Sequence, residues 1–354
     1  MRQTKLFTKT RKNAPTDEEA VNAKLLIRGG FIHKELAGVY SFLPLGLLTL
    51  NKINNIIRDE MNKVGGMELH MSSLQDKNVW QKTGRFDDSV VDIWFKTNFK
   101  SGGETSLAFT HEEPVTRLMK DHIQSFRDLP AFPFHFQTKF RNETRAKSGI
   151  MRTKEFLMKD LYSFSKDEIE HNEFYEKMKQ AYLNVFDRIG IGDKTFITYA
   201  SGGSFSQYSH EFQTLAENGE DTIFICEKCK VAINQDIVKQ KPECPECKNT
   251  DVKEQKAVEV GNIFSLGTKF SNALDLNFVD ENGEKKPVIM GSYGIGPARV
   301  MGTVVELLSD EKGIIWPKNI APFKIHLIQI GKNSKESADK FYELCLAKIG
   351  RAHV

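Results

Sequence analysis

Two runs of residues lying close together, FPFHFQTKFRNE at 132–143 and MRTKEFLMKD at 151–160, alternate with period two and are joined by the basic stretch TRAKSGI. A β-strand sends successive side chains to opposite faces, so this spacing predicts a strand pair. On the first run Phe134, Phe136 and Phe140 share one face, the expected core, while Gln137, Lys139, Arg141 and Glu143 share the other. On the return run Arg152, Lys154, Phe156 and Met158 fall together, so Arg152 and Phe156 can point the same way as Arg141 and Glu143. That face offers guanidiniums for phosphate oxygens, a carboxylate that can accept from an exocyclic amine, and an aromatic plane on which a base can stack. These are the parts of an ATP site. A solvated charged hairpin is the other reading of the same spacing.

The rest of the chain supplies a large mixed core around that pair. Its 354 residues are enough for two or three units. Fifty Lys and Arg against 47 Asp and Glu leave a formal +3, so no global field for polyanions is imposed. No apolar stretch approaches the roughly 18–20 residues of a membrane span. The basic N-terminus lacks the apolar segment of a secretory signal, and a cytoplasmic location is expected. After Pro44, residues Leu47, Leu50, Ile53, Ile57, Met61 and Val64 recur at helical spacing up to Gly65, which predicts a long amphipathic helix. Residues 190–203 read as a loop-rich region. VEVGNIFSLG and PVIMGSYGIG read as strands of a largely antiparallel sheet, with DENGE as a hairpin tip. After the linker WPKNIAP, FKIHLIQI alternates like a strand, and Asn333 with Glu336 offers a capping box to a final helix.

Four of the five cysteines fall in one window: Cys226 and Cys229, then fourteen residues, then Cys244 and Cys247. Two C-x2-C hooks at this spacing can close a tetrahedral thiolate site, which favours zinc over disulfides in a reducing compartment. Four protein ligands leave no open position, so such an ion is structural. A redox dithiol and a ribbon that has lost its metal are the other readings.

KFRNE, a loop and R-x-x-x-F resemble motif 2 of class II aminoacyl-tRNA synthetases. MGSYGIGPARVMGTVVE resembles their motif 3, and the helix after LPLG their motif 1, the dimer motif. More narrowly, LFTKTRKNAP, GVYSFLPLG, FTHEEP, KFRNETR, MKDLYSF, SHEF, LGTKFS and GSYGIG resemble the bacterial type of prolyl-tRNA synthetases, in the same order from residue 1 to about 330. The resemblance implies an α+β fold: a class II synthetase-like antiparallel sheet flanked by helices. The units it implies are a catalytic core at 1–224 and 254–319, a zinc-ribbon insertion at 225–253, and the start of an α/β anticodon-binding unit at 320–354.

By the same resemblance, Arg141 holds the ATP α-phosphate, Glu143 reads the adenine amino group, Arg152 meets the distal phosphates, and Phe156 and Arg299 sandwich adenine. Arg141 and Arg299 are then the catalytic pair. Thr110 and Glu112 form the T-x-E proline pocket, with His210 lining it, and Glu113 is read equally as a helix-start carboxylate. Gly291, Gly294 and Gly296 let the backbone approach the ligand. Magnesium bridges the phosphates, with Glu259 as its candidate ligand, and the cysteines hold zinc. The implied activity is that of a proline--tRNA ligase, an ATP-dependent enzyme that makes prolyl-adenylate and charges tRNA(Pro) as a homodimer joined through the motif 1 helix. The alternative is a non-catalytic synthetase paralogue serving as a binding or regulatory module.

Several departures from the family pattern stand out. No large editing domain fits between motifs 2 and 3. Ser292 stands where cysteine is common, Asn262 stands where histidine is usual, and GGSFSQYSHEF is longer than usual. Only about one strand and one helix come after the linker, which suggests a truncated anticodon-binding unit. The ending IGRAHV coincides in one codon spelling with a common sequencing-adapter read, and a naturally short protein is the other reading.

Overall fold

The computed structural model describes residues 1–144, 148–202, 208–238 and 242–349. At its centre is a nine-stranded sheet. In chain order the strands are β1 (Met67–Glu68), β2 (Pro133–Phe140), β3 (Glu155–Ser165), β4 (Thr195–Ser201), β5 (Tyr208–Leu215), β6 (Asp221–Cys226), β7 (Val231–Asn234), β8 (Lys253–Gly267) and β9 (Ile289–Ile295). They lie in the order β5-β4-β7-β6-β8-β9-β3-β2-β1, and β5 also pairs with β8. The pairings β1 with β2 and β7 with β4 are parallel and the others antiparallel, so the sheet is mixed, with the expected antiparallel centre. β2 and β3 form the expected pair, with Lys139 opposite Phe156 and Gln137 opposite Met158.

The helices are α1 (Val21–Arg28), α2 (Pro44–Lys63), α3 (Lys77–Gln81), α4 (Glu112–Lys120), α5 (Glu168–Ile189), α6 (Lys269–Leu274), α7 (Pro297–Leu307) and α8 (Lys335–Ile349). Pro44 starts α2 at a position where its missing N–H costs nothing. Asp167 caps α5 by accepting from the Glu170 N–H at 2.8 Å, and Gly190 ends it with φ 101°. α1, α2, α5 and α7 cover one face of the sheet, where Ile53, Ile57, Met61, Phe186 and Val304 pack with Phe134, Leu161, Ile263 and Tyr293. α4 and α6 cover part of the other, where Val115, Met119 and Phe270 pack with Tyr162, Phe164 and Met290. The stripe of α2 is thus spent inside the chain, and only Leu47 of the expected set is exposed. No helix of the described residues is long and apolar enough to cross a membrane.

The structure departs from the sequence expectations in several places. Residues 195–201 form β4, an interior strand rather than a loop, because β5 and β7 pair on either side of it. On β2, Phe134 is core, but Phe136 and Phe140 are only half-buried while His135, Gln137 and Lys139 are buried. Both faces of this strand are covered, so alternation does not mark which face is dry. The segment FKIHLIQI forms no strand, and Phe323, Ile325 and Leu327 are exposed. Here α8 begins at Lys335, past the expected Asn333 cap, with the Ser334 hydroxyl donating to the Ile330 and Gly331 carbonyls. The long-loop residues 203–207, part of TRAKSGI at 145–147, and the ending beyond Ile349 lie outside the described residues.

Candidate active site

The cleft that the period-two reading points to exists on the face of the sheet away from α5. Arg141, Glu143, Arg152, Phe156, Glu259, Asn262, Gly294, Gly296 and Arg299 line it together. Arg141 lies just past the end of β2, its N–H donates to the Lys154 carbonyl at 2.8 Å, and its guanidinium lies 5.2 Å over the Phe156 ring. Arg299, in the first turn of α7, donates to the Met151 carbonyl at 2.9 Å and to Glu259 Oε2 at 3.2 Å. A Cβ on Gly294 would come within 2.6 Å of the Met158 methyl and 3.0 Å of Asn262, so a side chain there would crowd the cleft floor and push Met158 aside. Gly291 is different: a Cβ there would strike the Tyr293 hydroxyl and Ser163 on the α5 side, which makes it a packing glycine. Arg152 and Glu143, expected at opposite ends of ATP, hold each other at 3.0 Å, and Arg152 also holds Glu220 at 3.1 Å.

A β-bulge decides where Glu259 points. The register of β5 against β8 slips between Phe212 and Gln213, which leaves Val260 unopposed and shifts the phase of β8 by one residue. Glu259 thereby joins Asn262 on the cleft side, accepting from its amide at 2.8 Å. Glu211, opposite Asn262 on β5, is the second carboxylate there. Burial and then the Glu259 charge push its carboxyl up to about 7, a repulsion that a divalent cation would relieve. The donor set suits a hard, oxygen-seeking ion such as magnesium.

The T-x-E turn sits at the N-terminus of α4. Thr110 donates to both Glu112 oxygens, at 2.9 and 2.7 Å, and the Tyr162 hydroxyl approaches Oε1 at 3.5 Å. Glu113, equally a helix-start carboxylate by sequence, is fully buried and paired with Arg85, whose Nη1 lies 3.0 Å from each of its oxygens. Burial lifts its carboxyl to about 7 against the pull of Arg85. Behind the turn lies a buried network whose pairing no local sequence motif marks. Lys139 Nζ meets Asp160 Oδ2 at 2.7 Å and also His111 Nδ1, and His135 Nε2 lies 3.2 Å from the same Asp160 oxygen. Burial alone would raise the Asp160 pKa, but Lys139 and His135 hold it well below the carboxylate range. Burial and then Lys139 push His111 down to about 2, so its imidazole is neutral.

His210 does not line the T-x-E pocket. It lies opposite Ile263 on β8, so it shares the face of Ile263 and Tyr293, and its Nδ1 bonds the Tyr175 hydroxyl of α5 at 2.9 Å. Glu112 approaches Tyr162, on the opposite face of the sheet. Register alone separates them. At the far part of the sheet Cys226, Cys229, Cys244 and Cys247 bring their sulfurs within 4.8 Å of one another. The Cys229 backbone N–H is the main cause that lowers Cys226 to about 6, whereas the Cys247 sulfur and burial push Cys229 up to about 12. The four soft donors fit zinc.

The family model for the tRNA synthetase class II core domain (G, H, P, S and T) matches residues 94–307, more than half of the chain. A proline--tRNA ligase of Wolbachia sp. subsp. Drosophila simulans is 36% identical over 357 residues, spanning 97% of this chain and 84% of the relative. The chain belongs to the proline--tRNA ligase family of class II synthetases. A Rickettsia bellii proline--tRNA ligase is 37% identical over 362 residues, spanning 97% of this chain and 83% of its own. Prolyl-tRNA synthetase from Cryptosporidium parvum, complexed with halofuginone and AMPPNP, superimposes with a TM-score of 0.73 at 16% identity, across 93% of this chain and 62% of that one. Giardia lamblia prolyl-tRNA synthetase in complex with prolyl-adenylate gives 0.73 at 17%, across 93% and 63%. At those identities the likeness is one of fold, and this chain spans less than two thirds of either length.

Sequence reasoning reached the cleft residues and the T-x-E turn but missed Arg85, Tyr162, Glu211 and the Lys139–Asp160 pair. Period two does put Lys139 on the site face, which was the one signal for it. Arg85 has none, since it arrives from a loop after α3.

Proposed function

We propose that this chain activates proline with ATP as prolyl-adenylate and transfers the prolyl group to tRNA(Pro). The observation that carries the reading is the 3.3 Å hydrogen bond from Arg141 Nε to the Phe109 carbonyl. It ties the nucleotide cleft to the segment that runs into Thr110 and Glu112, so amino acid and α-phosphate can meet. Glu112 suits the secondary ammonium of proline, and Thr110 and Tyr162 orient its carboxylate. The substrate carboxylate then attacks the α-phosphorus, a new P–O bond forms, and the bond to the bridging oxygen breaks to release pyrophosphate. No protein nucleophile is needed, because the attacking group is already ionised and positioning with charge stabilisation supplies the rate. Arg141 answers the charge on the α-phosphoryl oxygens, Phe156 and Arg299 hold adenine, and Glu143 accepts from its amino group once Arg152 turns to the distal phosphates.

Magnesium, when bound, would neutralise phosphate charge, with Glu259 and Glu211 as the residues to hold it. Zinc held by the four cysteines would order residues 225–253 without touching the chemistry. A homodimer through the outer flank of α2, where Leu47 is exposed, belongs to the same reading. ATP–pyrophosphate exchange measured with each amino acid tests the proposal. Proline is expected to stimulate it best, and faster exchange with threonine or serine would overturn the assignment.

A further inference from the structure

Glu112 stands between two ion pairs that each cancel their own charge. On one side Lys139 and Asp160 meet at 2.7 Å. On the other Arg85 lies 3.0 Å from both oxygens of Glu113 and 3.4 Å from Glu112 Oε2. Arg85 cannot leave, because its guanidinium is wedged 5.3, 5.2 and 5.5 Å from the rings of Trp80, Phe109 and Phe270. Glu113 is locked from behind by the Thr83 hydroxyl at 2.7 Å. Glu112 takes its two shortest hydrogen bonds, at 2.9 and 2.7 Å, from the neutral Thr110 hydroxyl, which orients a carboxylate without cancelling it. Lys269, a further cation within electrostatic reach of Arg85 and Glu113, lies at the exposed start of α6.

We infer that Glu113 is the counter-charge that keeps Arg85 from neutralising Glu112, so that the Arg85–Glu113 pair sets the negative charge offered to the amino group of the substrate. Both are positioning residues, acting through Glu112, and the inference rests on the reading of Glu112 as the ammonium acceptor. Without the Glu113 charge, Arg85 needs only a small shift to pair with Glu112 and compete with the substrate for it. Without Arg85 as well, the competition disappears.

The test is pyrophosphate exchange at about pH 8, above the value to which burial lifts Glu113, with KM read separately for proline and for ATP. Glu113→Gln is expected to raise the proline KM about tenfold and to leave the ATP KM within about twofold. The double variant Arg85→Met with Glu113→Gln is expected to return the proline KM to within about threefold of the parent, a rescue that a purely structural role does not provide. A proline KM unmoved by E113Q, an ATP KM rising in parallel, or a double variant no better than the single would each overturn the inference. Should E113Q fail to fold, the charge-neutral double variant decides alone: a tenfold rise in its proline KM, on the scale of about 1.4 kcal/mol, refutes the idea. Glu112→Gln separates the two claims, because an unchanged proline KM there removes the site reading itself, whereas a large rise there with none in E113Q removes only this inference.

Discussion

Lys139 and Lys159 are both fully buried, on neighbouring strands of the same sheet, yet on opposite faces. On the cleft face Lys139 has a carboxylate, Asp160, and two imidazoles around it. On the helix-covered face Lys159 has the Tyr182 hydroxyl, the Tyr293 carbonyl at 3.0 Å and the Met61 sulfur at 3.4 Å. No carboxylate faces it among these partners, and burial pushes its ammonium well below the usual range. The same residue type is therefore a paired charge on one side and a polar knot tying α2, α5 and β9 on the other. The difference teaches that the cleft face holds its buried lysine as an ion pair, while the opposite face satisfies hydrogen bonds without holding net charge.

Substitutions can break this contrast. Lys139→Met strands Asp160 as a buried carboxylate and is expected to cost about 3–5 kcal/mol in urea unfolding. Arg141→Ala, on the same face, is expected to lower exchange about 10²–10³-fold while leaving the urea midpoint nearly unchanged. An equal loss of stability in that variant would show that Arg141 is structural. Lys159→Met removes a donor from the Tyr293 carbonyl and is expected to cost about 1–3 kcal/mol, with exchange activity retained. If it matches Lys139→Met in stability, the two faces are not electrostatically different.

The pH dependence gives a smaller effect. Burial lowers His210, on the helix face, from 6.5 to about 4. As pH falls through that window the unfolded chain takes up a proton that the folded one refuses, so stability present above 6.5 is lost towards 4, by about 1.4 kcal/mol per unit. Glu113 and Glu211, raised from 4.5 to about 7, pull the opposite way over an overlapping range. The histidine contribution is therefore read as a difference in acid slope between the parent and His210→Gln, and identical slopes would refute it. The smallest effect is expected at the cysteine hairpin, which belongs to neither substrate pocket. Loading the four cysteines with zinc and then removing it with a chelator is expected to speed amide exchange at 225–250 and leave pyrophosphate exchange within about twofold. A collapse of activity would link that edge to the site.

Much of the cleft was legible in the sequence because its residues are local. Phe156 lies on the β2–β3 pair and Arg141, Glu143 and Arg152 lie on the short connection just beyond its ends, so period two and that connection bring them together. The T-x-E turn and the cysteine pairs are local in the same sense, each a fixed spacing of a few residues. The segment FKIHLIQI after the linker was not legible, since its alternation has the pattern of a strand but no strand lies beside it to pair with. His210 was misplaced for a related reason: a histidine in a motif near the site can face either way, and only its register against β8 puts it on the α5 side.

By itself the sequence determined which side chains alternate, where α2 begins, that four thiolates can converge, and the family to which the chain belongs. Each of these comes from the backbone period, a proline, a fixed spacing or a run of motifs, all of which act within a short stretch of chain. Only the tertiary structure decided that Glu259 reaches the cleft, because the bulge at Val260 inverts the phase of β8. It alone decided that Arg85 clamps Glu113 and that Lys139 finds Asp160. Buried charges are placed by whichever opposite charge the packed chain brings within reach, and that choice is made between segments distant in sequence, where periodicity is silent.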